Sequence, residues 1–328
     1  MIDFASALMV RVLSEGMRVQ GLEPPPGLEP PAAGGARVAL DSKRSLVAAA
    51  LQQGGWAVLP MLARGLTRFR DEPLHGALAG ARSGADLLAR WRRLERYIHA
   101  RHRVAVEALD EGPHGGHARV RHGARQGPPP LPAEDLVVLG VLAALLQEAG
   151  WTDVRARLAG VPVWPVPDAG ALAAAVHAGD TAAWSLEWAG AAPRAVAAPA
   201  IHGLAAHAGA HPSAWPDDSR WPPLARQAAR LLAQDLAAPP GVDALARALG
   251  RSTRSLQRDL HGAGLSHTAL LALARSRAAG AWLLHTDTAI AEIGFLCGYA
   301  DQAHFSRDFR HRVGLPPAAF RAAFAGAR

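Results

Sequence analysis

The sequence predicts an α+β N-terminal domain followed by an all-α double helix-turn-helix domain, on three observations. Residues 1–200 mix helical periodicity with stretches of strict apolar–polar alternation. Between 195 and 223 the chain loses long periodicity and turns to Ala, Pro, Gly and His, with Trp215-Pro216 and Trp221-Pro222-Pro223. After Pro223 the apolar spacing is helical, and the helices are short and interrupted at glycines. The expected layout is a first domain over 1–200, a linker over 201–223 and a second domain over 224–328.

Within the first domain, 2–16 reads as a helix with Phe4, Leu8, Val12 and Leu13 near one face. The stretch 20–36 repeats Gly-Leu-Glu-Pro-Pro from Gly21 and from Gly27, and so many prolines make an irregular loop. Helical patterns follow at 42–54, 73–79 and 83–100. The last carries Leu87, Leu88, Trp91, Leu94 and Ile98 as one stripe. Val104, Val106 and Ala108 then alternate with polar residues, as do Ala118, Val120 and His122. The Gly- and Pro-containing break between them makes this a β-hairpin. A helix at 133–150 contains the most apolar run, 136–146, too short to span a bilayer and suited to a buried helix. Strands near 154–158 and 183–188 flank a helix at 168–178.

Charge is unevenly distributed. From 224 onward there are 13 Arg and 7 acidic residues, an excess of six, whereas 1–223 holds 22 basic and 21 acidic residues. A basic last third attracts a polyanion, although a solvated basic face has the same composition. The single cysteine, Cys297, excludes an internal disulfide and a cysteine metal cage. No secretory signal is visible, and the expected protein is soluble, cytoplasmic and free of the membrane.

Enzyme classes find little support. Ser42, Ser45 and Ser83 lie in no Gly-x-Ser-x-Gly elbow, and no GxxxxGK[ST] loop occurs. Cys297 falls on the inner face of a helix and reads as a small core hydrophobe. His99 with His102, and His114 with His117, have spacings a metal could use. In a chain of 15 His, neither metal nor cofactor is expected.

In the second domain a helix at 224–236 is stopped by Pro239-Pro240-Gly241. A short helix at 242–249 ends at Gly250, and Ser252 caps the next, 253–261. Leu256 and Leu260 face inward there, while Arg254, Gln257 and Arg258 point outward. A longer helix at 268–284 leads to a repeat of the pattern. Ile290, Ile293 and Cys297 line a short helix that Thr288 can cap, Gly298-Tyr299 breaks it, and Asp301 caps the next. In that last helix Phe305, Phe309 and Val313 are core, leaving Gln302, His304, Ser306, Arg307 and Arg310 outside. A final helix at 318–324 follows Gly314-Leu-Pro-Pro. Gln and Arg on the outer face of the second helix of each pair suit purine edges in the major groove.

These residues carry a resemblance. The stretch 242–321 resembles the DNA-binding domain of the AraC/XylS family. The match lies in Leu256-Gln257-Arg258, Ile290-Ala-Glu-Ile, Gly298-Tyr299, the run His304 to Arg310, and Gly314-Leu-Pro-Pro. The resemblance implies DNA contacts from Thr253, Arg254, Gln257, Arg258, Gln302, His304, Ser306, Arg307 and Arg310. Two positions depart from the family pattern. Gly294 stands where Ala is usual, which weakens its helix by up to ~1 kcal/mol. Tyr299 stands where Phe is usual, a harmless exchange if its hydroxyl reaches solvent.

Residues 2–190 are more diffusely similar to the arabinose-binding-type effector domain of one branch of that family. The resemblance implies a transcriptional regulator, an activator or a repressor, that binds double-stranded promoter DNA, touches RNA polymerase and associates with the nucleoid. It also implies a homodimer and a small-molecule effector of unspecified chemistry. Arg92, Arg96, Tyr97 and His102, polar groups near an apolar stripe, are the candidate effector residues, unless they are ordinary surface or packing residues. The alternative is a constitutive dimeric DNA-binding protein with no ligand.

Overall fold

The computed structural model describes residues 4–30, 35–70, 72–98, 102–125, 127–179, 181–190 and 221–325, apart from the side chains of 96–98. The chain divides into two compact units: residues 1–30, 36–69 and 77–196, and residues 31–35, 70–76 and 197–328. The linker expected over 201–223 lies outside the described residues except for 221–223.

The first unit begins with a correction. The helix expected from residue 2 starts only at α1 (Ala7–Val19), after a strand β1 (Phe4–Ser6). Ser6 has extended geometry, φ −70° and ψ 127°, and its hydroxyl accepts from Met9 N–H at 3.3 Å. An N-cap is non-helical by nature, so the chain before it is free to extend. β1 pairs antiparallel with β2 (Arg37–Ala39). Then α2 (Leu40–Met61) is kinked at Gly55, whose φ of 68° no helix accommodates, and runs into a 3₁₀ segment, Leu62–Phe69. By length and composition alone Leu40–Phe69 could cross a bilayer. Its break at Gly55 and the half of it buried inside the unit mark it instead as a core element.

Helices α3 (Pro73–Ala79) and α4 (Gly84–Ile98) match their expected positions. The hairpin is β3 (His102–Gly112) and β4 (Gly115–Ala124), paired from His102 opposite Ala124 to Gly112 opposite Gly115 with a bulge between Val106 and Ala108. After α5 (Pro132–Glu148) come β5 (Thr152–Leu158), β6 (Val161–Trp164), α6 (Ala169–His177) and β7 (Ala183–Ala189). The five longer strands form one antiparallel sheet of order β3-β4-β7-β5-β6. The sequence hid β6 because it is four residues long and contains Pro162. A proline is tolerated there because β6 is the edge strand.

Helix α5 is buried all round from Leu136 to Leu146, as its unbroken apolar run requires. At Gly140 a Cβ would collide with the Pro60 carbonyl, so this glycine sets how closely α5 approaches α2. On the sheet, Ala118, Val120, Trp184, Leu186 and Trp188 alternate inward with partners from β5.

The described part of the second unit is helical: α7 (Pro223–Gln234), α8 (Val242–Ala248), α9 (Thr253–Gly262), α10 (His267–His285), α11 (Ile290–Leu296), α12 (Gln302–Val313) and α13 (Pro317–Phe324). Ser252, Ser266 and Asp301 accept from Ser255, Ala269 and His304 N–H as side-chain caps. Thr288 does not play that part. The residue before α11 is Ala289, which offers no side-chain oxygen, and Thr288 lies one position too early.

Candidate nucleic-acid interface

Helices α8 and α9 form the first pair, turned at Gly250 with φ 65°. Leu256 and Leu260 seat α9 on a cluster that includes Trp221, Leu232, Leu245, Leu270 and Leu273. The opposite face of α9 carries Arg254, Gln257 and Arg258, all exposed. Arg258 donates to Ser255 Oγ at 3.1 Å and keeps 73% of its side chain in solvent. Thr253 is half-buried, and its hydroxyl donates to Asp243 Oδ1 at 2.6 Å. Thr253 therefore braces α9 against α8.

Helices α11 and α12 form the second pair, turned at Gly298 with φ 76°. Phe305, Phe309 and Val313 are buried, as their spacing requires. Tyr299, Phe305, Phe309, Phe320 and Phe324 form a continuous aromatic file with successive centroids 5.1–5.7 Å apart. Gln302, His304, Arg307 and Arg310 are exposed on α12, and Ser306 is half-buried beside them. All nine sequence-derived contact positions thus lie on α9 and α12. Asp301 is exposed, and the His304 N–H it accepts, foremost, holds its carboxyl below the usual range.

One expectation at this pair changes, and one departure from the family pattern gains a packing reason. The Tyr299 hydroxyl does not reach solvent: the residue is 5% exposed and donates to Asp308 Oδ2 at 2.8 Å. Burial, with Asp308 beside it, pushes the phenol above its usual range. Gly294 is buried, and a Cβ there would come within 3.1 Å of the Phe305 ring, so the missing methyl makes room for that ring. Cys297 is fully buried, and desolvation pushes its thiol up to about 12, the state of an inert core residue.

In the first unit two of the four candidate effector residues, Arg92 and His102, have described side chains. Arg92 is exposed on α4, and the side chains of Arg96 and Tyr97 lie outside the described residues, as does His99. His102 belongs to a buried polar cluster that sequence reasoning missed. His122 Nδ1 lies 2.8 Å from Asp135 Oδ1, and Thr181 donates to Asp135 Oδ2 at 2.6 Å. His102 Nδ1 lies 3.6 Å from Glu134, which also accepts from Arg44 Nε at 3.1 Å and from Leu131 N–H at 3.0 Å. The His102 and His122 rings meet edge to face at 5.7 Å.

Lys43, the only lysine in the chain, is 4% exposed and interacts with Glu134. Burial lowers the affinity of Lys43 for its proton, and burial likewise lowers that of His102 against the pull of Glu134. Burial also raises Asp135 against its hydrogen bonds from His122 and Thr181. At Glu134 burial acts in the same upward sense but is outweighed by the Leu131 N–H, Lys43 and Arg44, which hold it below the usual range. One sequence signal existed: His122 takes an inward position in the β4 alternation, where an apolar residue is expected.

Two short helix pairs, each with a capped second helix over an apolar core and a polar outer face, make this unit a helix-turn-helix module. Residues 245–323 match the family described as a helix-turn-helix domain. Two relatives are 36% identical to the chain. They are the transcriptional activator NphR of a Rhodococcus species, over 77 residues (24% of this chain, 23% of that protein), and the ornithine utilization regulator of Pseudomonas aeruginosa, over 84 residues (26% and 25%). Each match therefore spans about a quarter of the relative's length. A solved transcriptional regulator with an AraC-type DNA-binding domain, from Chromobacterium violaceum, is 29% identical. It covers 32% of this chain and 96% of its own, with a TM-score of 0.30. The C-terminal segment of this chain is similar, over about eighty residues, to the helix-turn-helix domains of transcriptional regulators.

Proposed function

We propose that the chain is a sequence-specific, DNA-binding transcriptional regulator in which α9 and α12 are the two reading helices. The observation that carries the proposal is the repeated side-chain pattern. Each second helix sets Arg and Gln outside a buried apolar stripe, within a segment matched to a helix-turn-helix family and to a transcriptional activator. On α9 the contacts come from Arg254, Gln257 and Arg258, with Thr253 at its start. On α12 they come from Gln302, His304, Ser306, Arg307 and Arg310. Arg and Gln offer paired donors and acceptors to base edges, and the remaining polar groups suit phosphates. Two reading helices on one chain suit two successive major-groove segments, roughly 34 Å apart.

In this proposal the first unit senses a small molecule and mediates dimerisation, and the regulator works in the cytoplasm at promoter DNA beside RNA polymerase. The buried cluster around His102 supports sensing, because charged groups gathered in a domain interior are costly unless they serve folding specificity or a ligand. His102, in that cluster, is a better placed effector candidate than the exposed Arg92.

The test is selection of genomic DNA fragments on the purified full chain, followed by a salt titration on the best fragment. The proposal expects a shared motif of two boxes about one helical turn apart, with affinity falling steeply as salt rises. Weak binding with no shared sequence, with or without cell metabolites present, overturns it.

A further inference from the structure

The second unit contains a line of contacts that the DNA-facing residues do not use. It starts in the loop between α7 and α8, where the Leu236 carbonyl lies so close to Gly298 that a Cβ at Gly298 would collide with it. Gly298 is the turn of the second helix pair, so the loop preceding the first pair touches the hinge of the second directly. Arg275, on the connecting helix α10, fills the angle between them. Its Nη2 reaches the Leu236 carbonyl at 3.5 Å, and its guanidinium lies over the Tyr299 ring, 5.5 Å from the centroid. Arg275 Nε is buried with no hydrogen-bond partner among the described residues, so this guanidinium is held mainly by carbonyl and ring.

The line continues to the DNA-facing helix. Tyr299 donates its hydroxyl to Asp308 on α12, and Asp308 accepts from Arg312 Nε at 2.9 and 3.1 Å. Asp308 stands beside Arg307 and two positions before Arg310. Phe305 and Phe309 fix the depth of α12, and a hydrogen bond at Asp308 resists rotation of the helix about its own axis. A phenylalanine at 299 would fill the same space and lack that bond. The exchange is therefore not neutral in this chain, because the hydroxyl is turned inward to a carboxylate.

We infer that Arg275, Gly298, Tyr299 and Asp308 form a register clamp that holds α12 at one distance and one rotation relative to α9. The spacing between two DNA boxes then becomes a determinant of specificity in its own right. The inference rests on the proposal that α9 and α12 read DNA. Inserting one base pair between the boxes moves the second by ~3.4 Å and turns it by roughly 35° about the duplex axis. A loose pair of modules follows such a shift, and a clamped pair does not. Tyr299 and Arg275 are positioning residues here, and neither is among the contact positions.

The experiment uses the full chain and the two-box duplex recovered by selection, with spacers shortened or lengthened by one and two base pairs. Affinities are measured for the natural chain, Tyr299→Phe, Asp308→Asn and Arg275→Gln, with thermal unfolding of each in parallel. The natural chain is expected to lose ~10-fold or more per base pair of misfit, the cost of one lost base contact. Tyr299→Phe and Arg275→Gln are expected to flatten that penalty to below ~3-fold while binding the first box alone as tightly as before. Asp308→Asn, which keeps an acceptor for the tyrosine hydroxyl, is expected to hold the natural profile better than Tyr299→Phe. A merely structural role lowers stability and all affinities together and leaves the profile's shape alone. Equal profiles for folded variants and natural chain, or a natural chain indifferent to spacing, overturn the clamp and leave the DNA-reading proposal standing. A natural chain with no sequence preference at all overturns both.

Discussion

On α12, Arg307 and Arg310 project into solvent while Phe305 and Phe309 between and beside them are fully buried. The two kinds of residue predict opposite phenotypes from the same substitution. Arg307→Ala leaves folding intact and weakens binding to the selected site by ~1–3 kcal/mol, relaxing the preference at one base pair. An equal loss on every sequence, with a shallower salt slope, would assign Arg307 to a phosphate. Phe305→Ala removes a ring from the aromatic file and costs ~3–5 kcal/mol of stability, read by denaturant unfolding. In the first unit Glu95 is 1% exposed and accepts from Trp91 Nε1 at 2.8 Å and from Val104 N–H at 3.1 Å. Burial wins over those hydrogen bonds and over Arg103 and Arg92, raising the carboxyl from 4.5 to about 7. The folded unit therefore holds that proton more tightly than the unfolded chain. The stabilisation is complete below the ordinary value of 4.5 and is lost as pH rises to about 7. The loss amounts to roughly 3 kcal/mol at most. Unfolding of Glu95→Gln across that range lacks this component, and an unchanged pH profile would remove Glu95 as its source.

At the scale of elements, what could be read in advance was what repeats locally. Helices α8 to α13 carry their own punctuation: Gly250 and Gly298 at left-handed turns, Ser252 and Asp301 as caps, and leucines or phenylalanines four apart. The β3–β4 hairpin announces itself through alternation on both sides of a Gly- and Pro-containing break. Strands β1 and β6, of three and four residues, are too short for a period to register. The cluster at His102 was hidden for another reason, since its bonds join residues far apart in sequence. Thr181 meets Asp135 across 46 positions and Arg44 meets Glu134 across 90. Only the fold brings them together. The crossing of α5 and α2 is likewise a long-range fact with a local signature, a glycine inside an apolar helix. Gly140→Ala is expected to push the Pro60 backbone away and cost ~1–3 kcal/mol by overpacking, despite the better helix propensity of alanine. A gain in melting temperature for Gly140→Ala would show that the two helices separate freely.

For the molecule as a whole, net charge says less than its distribution. Nearly all the excess of +7 lies beyond residue 223, where Arg exceeds acid by six. The expected consequence is an affinity for any duplex that falls with added salt, log K against log salt having a slope of about −0.9 per phosphate neutralised. Removing Arg254, Arg258, Arg307 and Arg310 one at a time is expected to shorten that slope in steps where they touch phosphate. A slope unaltered by all four would move the interface to another face of the second unit.

The chain has one thiol and one side-chain amine, and both are sealed: Cys297 at 0% exposure in the second unit and Lys43 at 4% in the first. Each unit thus carries a single chemical reporter of its own opening. A thiol-specific reagent modifies Cys297 only in molecules whose second unit has opened, and an amine-specific reagent reaches Lys43 only when the first has. Two labelling clocks run in one tube would give two local stabilities without denaturant. Adding duplex DNA should slow the Cys297 clock, and a true effector should slow the Lys43 clock, so an effector could be sought by mass spectrometry before any promoter is known.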